Sequence, residues 1–116
     1  MTTIAAHGGL GGTAGWVAEA VKSLWVRSSE SAELQDNLVM VPRLRCAELV
    51  VDEEASLEEQ RAHVDQLIDS GFKVSVLVPL RQLGRAHSVF RGCDLSLQGW
   101  TYDDGDILHF LDPELP

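Results

Sequence analysis

The sequence predicts an α/β fold: a small two-layer or three-layer domain with a mainly parallel sheet, helices packed on it and a C-terminal antiparallel β-hairpin. Three observations carry that expectation. Valine-rich runs alternate with segments whose apolar residues recur at helical spacing, the pattern of strands joined by amphipathic helices. Leu38–Val41 is apolar at every position, as in a strand covered on both faces. Asp104-Gly105 stands between two β-prone runs, where a type I′ turn needs positive φ at both central residues. With 116 residues, 45% hydrophobic and 23% charged, the chain has the size and composition of one domain spanning 1–116.

From the N-terminus, residues 2–6 form a short strand or a frayed end. Five glycines within 7–15 make a loop of a glycine-rich segment, 1–13. Thr13 is a fitting N-cap for a helix to Arg27, with Val17, Ala20, Val21, Leu24 and Trp25 on one face and Glu19, Lys22 and Ser23 opposite. The polar, aperiodic stretch 28–37 reads as a linker. After the strand Leu38–Val41, residues 43–51 read as a short helix, a second strand being the alternative. Ser56 and Glu59 have capping-box spacing, followed by the apolar stripe Leu57, Val64, Leu67 and Ile68 and a stop at Gly71. Residues 72–78 place Phe72, Val74, Val76 and Val78 on one face of a strand. A helix follows over 80–90, with Leu80, Leu83, Ala86 and Phe90 inward. Cys93, Leu95 and Leu97 alternate with polar residues in a strand to Tyr102; 107–111 is its hairpin partner and 112–116 a tail.

Nine basic residues against eighteen acidic ones give a net charge of −9 and argue against bulk-charge binding of nucleic acid, which needs clustered Lys and Arg. The charges are segregated: no carboxylate falls between Asp69 and Asp94, where Lys73, Arg81, Arg85 and Arg91 lie, and no base follows Arg91. No apolar run approaches the roughly 20 residues of a membrane span, and no basic residue precedes Lys22 as a secretory signal would require. Cys46 and Cys93 stand in no paired spacing, as expected of reduced thiols in the cytoplasm, with one long-range disulfide the alternative.

The candidate binding residues come from an internal echo. Val39-Met40-Val41-Pro42-Arg43-Leu44-Arg45 resembles Val76-Leu77-Val78-Pro79-Leu80-Arg81-Gln82, each a strand meeting proline and then arginine. Pro suits a first helical position, where its missing N–H costs nothing. In a parallel sheet both junctions open at the strand C-termini, so Arg43, Arg45, Arg81 and Arg85, with Gln98 and Trp100 beside them, would line one anion-binding edge. The plainer reading of these arginines is solvated surface charge. Gly9-x-Gly11-x-x-Ala14 matches a dinucleotide fingerprint in form, but no acidic ribose ligand is well placed after it, and no Lys-Ser/Thr follows as in a P-loop. No cofactor is therefore expected. Histidines 7, 63, 87 and 109 fall in no metal or catalytic spacing, the acidic turn around Gly105 lacks the spacing of a calcium loop, and there is no nucleophile elbow. The sequence thus predicts a small acidic cytoplasmic protein with no catalytic or metal residues: a non-enzymatic protein-binding or regulatory module, acting through acidic helix faces and its edge hairpin, by a protein partner or as a homodimer. The alternative is a nucleotide- or phosphometabolite-binding protein using the arginine edge.

Overall fold

A computed structural model describes residues 2–5, 13–53, 55–103 and 107–116. In chain order the elements are β1 (Thr2–Ala5), α1 (Thr13–Arg27), β2 (Glu33–Gln35), β3 (Leu38–Val41), β4 (Cys46–Val50), α2 (Leu57–Asp69), β5 (Lys73–Pro79), α3 (Leu83–Val89), β6 (Leu95–Tyr102) and β7 (Ile107–Phe110). Single turns of 3-10 helix, Pro42–Leu44 and Leu80–Gln82, follow the two Val-Pro junctions. The strands form one sheet in the order β1-β7-β6-β5-β4-β3-β2.

That sheet corrects the expected fold. Only the β4–β5 and β5–β6 pairs are parallel. The pairs β1–β7, β6–β7, β3–β4 and β2–β3 are antiparallel, so the sheet is mixed and mostly antiparallel. Nor is antiparallel pairing confined to a C-terminal hairpin, because half of it lies in the meander β2-β3-β4. The physical reason lies in Leu38–Val41. Its unbroken apolarity reports burial on both faces, and an antiparallel strand between two helical layers meets that condition as well as a parallel one does. Direction is set instead by the turn. After Pro42–Leu44, Arg45 takes a left-handed conformation (φ 52) and sends the chain straight back as β4. Residues 43–51 are accordingly mostly strand rather than helix.

The stretch 28–37 is also more than a linker, since it contains β2. Gln35 pairs with Leu38 across a two-residue turn in which Asp36 adopts positive φ (55), a conformation Asp and Asn tolerate better than most side chains. The tail is likewise engaged: Leu97 and Glu114 exchange backbone hydrogen bonds of 2.8 Å. The glycine fingerprint and the Asp104-Gly105 turn lie outside the described residues.

Two cores flank the sheet. On one side Ala47, Leu49, Val74, Val76, Val78, Leu95 and Leu97 pack under α2 and α3 with Leu57, Val64 and Phe90. On the other, Val39, Val50, Leu77, Trp100, Leu108 and Phe110 pack under α1 with Val17, Ala18 and Val21. Strand alternation does the sorting, because successive residues of β4 and β5 face opposite helical layers. Ser56 caps α2 by accepting the Glu59 N–H at 3.4 Å. At the far end, Arg45 donates to the Ser70 carbonyl (2.9 Å), satisfying a group the helix leaves open. No helix among the described residues is long and apolar enough to cross a membrane.

Candidate functional site

The mixed sheet divides the six residues expected to line one edge. β3 runs against β4, and Cys46 of β4 pairs with Lys73 at the start of β5, so Arg43 and Arg45 sit at the N-terminal end of β5. Arg81 and Arg85 follow its C-terminal end. Seven strand residues, about 20 Å at roughly 3.3 Å each, separate the two groups. Each arginine is also engaged within the chain. Arg43 pairs with Glu30 and Arg85 with Glu58. Arg81 meets Glu53 at 2.8 Å, and Arg45 holds the end of α2. The Arg43 guanidinium keeps Glu30 below the ordinary carboxylate range; at Glu58 a backbone hydrogen bond comes first and the Arg85 pair second in the same direction.

Trp100 pairs in register with Pro79 and is a core residue, 2% exposed, stacked edge-on against Tyr102 at 5.7 Å between ring centres. Gln98 lies on the α1 side of the sheet and donates to the Leu111 carbonyl at 2.7 Å. The edge hairpin is not an edge either, since β1 pairs along β7. Cys46 and Cys93 are free thiols, and His87 and His109 meet Glu114 (2.6 Å) and Asp103 (2.9 Å).

Gln98 leads to a site the sequence reading passed over. Between α1 and the sheet is a cleft of about 270 Å³. Val21, Leu24, Leu77 and Phe110 make its walls apolar, Trp25 and Ser28 close the α1 side, and Glu48 and Gln98 supply polar groups from the sheet. Glu48 is the one titratable side chain among the described residues lining it. It occupies the middle of β4, between Ala47 and Leu49, which pack into the opposite core, so alternation turns its carboxyl toward α1. The Trp25 indole N–H donates to Glu48 Oε2 at 2.7 Å. Oε1 accepts no hydrogen bond from the other described residues. Burial raises the Glu48 pKa above its ordinary value, and the indole hydrogen bond only partly opposes that.

The available signal was a lone carboxylate within an apolar run, Cys46-Ala47-Glu48-Leu49-Val50, in a segment expected to be a short helix. A second, more polar cleft of about 350 Å³ lies at the C-terminal end of β4, where Asp36, Asn37, Asp52, Gln60 and His63 meet. Among the described residues no three His, Cys, Asp or Glu side chains gather as a metal site. No family model matches this sequence, and no curated protein or solved structure matches it.

Proposed function

We propose that this chain is a non-enzymatic binding module of the cytoplasm that takes a small ligand into the cleft between α1 and the sheet. One observation carries the reading: Glu48 opens a carboxyl oxygen that takes no hydrogen bond from the described residues into a cleft walled by Val21, Leu24, Leu77 and Phe110. Ligand sites are commonly of this type, apolar walls with a few placed polar groups that fix orientation. General acid–base chemistry needs a second group to exchange protons with the reacting centre, and among the described residues the cleft lining offers none beside Glu48. A fragment screen read by proton–nitrogen NMR tests the proposal. Hits are expected to shift the Trp25 indole N–H together with Leu77 and Phe110 amides. A screen with no hits, or with hits that all map elsewhere, overturns it.

A second reading concerns the surface. Glu30, Glu53 and Glu58 already occupy three arginines, whereas Glu19, Glu33, Glu59, Asp69 and Asp94 are exposed with no cation partner among the described residues. This favours a basic protein partner over an anionic one, with the outer face of α2 as the docking side. Replacing Glu59 and Asp69 together by Lys is expected to abolish such complexes, as is about 1 M salt, where the screening length falls to about 3 Å. Complexes that survive both treatments would exclude charge as their basis.

A further inference from the structure

We infer that the cleft between α1 and the sheet is a site for an organic ammonium ion: a primary amine on an apolar body, with the cation at Glu48 and the body against Leu24, Trp25, Leu77 and Phe110. The inference rests on the reading of the cleft as a ligand site and adds the chemical class.

An ionised carboxylate offers about four lone-pair sites, and the protein fills one of them, through the Trp25 indole at 2.7 Å. Among the described residues no Lys, Arg or His lines the cleft, so none of them neutralises the group where it sits. The protein's own remedy is to favour the protonated form. A ligand that brings its own positive charge removes that penalty, and a charge-assisted hydrogen bond is roughly twice as strong as a neutral one. A ligand carboxylate or phosphate would instead set like charges together. The Gln98 carboxamide commits one of its two N–H donors to the Leu111 carbonyl, and its oxygen is a further acceptor beside Glu48. The carboxylate and this amide oxygen can both accept from the three N–H donors of an ammonium group. Trp25 adds an aromatic wall, the side chain that attracts cations best. The apolar walls call for a hydrocarbon body, and about 270 Å³ has room for one aromatic ring with a short chain.

Three probes sharing one skeleton test the class: phenethylamine, phenethyl alcohol and phenylacetate, titrated into the full chain at pH 7 and followed at the Trp25 indole N–H. The amine is expected to bind at least about tenfold more tightly than the alcohol, a difference of about 1.4 kcal/mol, with phenylacetate weakest. In Glu48→Gln, which keeps the shape and an acceptor for Trp25, the amine's advantage over the alcohol should vanish. Trp25→Phe, followed at the Leu77 and Phe110 amides instead, should weaken both probes while leaving the amine ahead. Equal binding of amine and alcohol, preference for phenylacetate, or an amine preference that persists in Glu48→Gln each overturns the assignment while leaving the cleft a ligand site. Absence of all three probes from a cleft that accepts other fragments also overturns the class alone. A cleft that accepts neither these probes nor any fragment overturns both readings.

Discussion

A carboxyl held among Val, Leu and Phe side chains favours its neutral form, so Glu48 links folding to pH. The sign follows from linkage. With the folded pKa above the unfolded value near 4.5, the native state holds the proton longer, and stability falls as pH rises from about that value through the raised one. Below both, the group is protonated in either state and the penalty is absent. Glu48→Gln should therefore raise Tm at pH 7, by a gain on the order of 1 kcal/mol, and the gain should disappear at pH 4; denaturation at the two pH values checks it. An equal gain at both would place the effect in packing rather than charge. Glu30 and Glu58 act in the opposite sense, since their lowered values favour the folded state above the unfolded pKa and lose that contribution as pH falls. Glu58 is exposed and Glu30 is paired with an exposed Arg43, so theirs is the smaller influence. None of this was legible in the sequence. A single Glu in a five-residue run looks the same on a solvated helix as on a strand, and only strand alternation aims it at Trp25.

The elements themselves were more legible, with α1, α2 and the strands β3, β5 and β6 following the apolar spacing closely. What spacing does not encode is strand direction, which here depends on the conformation of two or three turn residues. Arg45 is the clearest case, a left-handed residue that both reverses the chain and caps α2 from outside. Opposite it, Gly71 has φ 89, and a Cβ there would come within 2.9 Å of the Arg45 guanidinium. Gly71→Ala thus adds backbone strain and displaces the capping group; a loss of about 1–2 kcal/mol is expected in chemical denaturation. The other end of the same helix gives an independent check. Ser56→Ala removes the acceptor for the Glu59 N–H and should cost about 1 kcal/mol. Short α3 depends on tertiary packing rather than on length, because seven residues are too few to hold a helix alone. Phe90, fully buried at its end, anchors it beneath the sheet. Phe90→Ala should cost about 3–5 kcal/mol, with amide exchange of α3 accelerated more than that of α2.

At the scale of the molecule, a mixed seven-stranded sheet with α1 on one side and α2 and α3 on the other places the two arginine pairs at opposite ends of β5. The expected anion edge fails for that reason alone: β3 runs the other way. A net charge of −9 leaves the whole surface mutually repulsive. Added salt should consequently raise Tm, the relief of long-range repulsion outweighing exposed ion pairs worth about 0–1 kcal/mol each. A fall in Tm with salt would show that the arginine pairs matter more than the surplus.

The pairing of β1 with β7 bears on how the chain is made. During synthesis β1 leaves the ribosome before β7, its partner, which follows β2 to β6 in the chain. The nascent protein can complete the β2 to β6 ladder while β1 waits, so closure of this seam comes after the rest of the sheet.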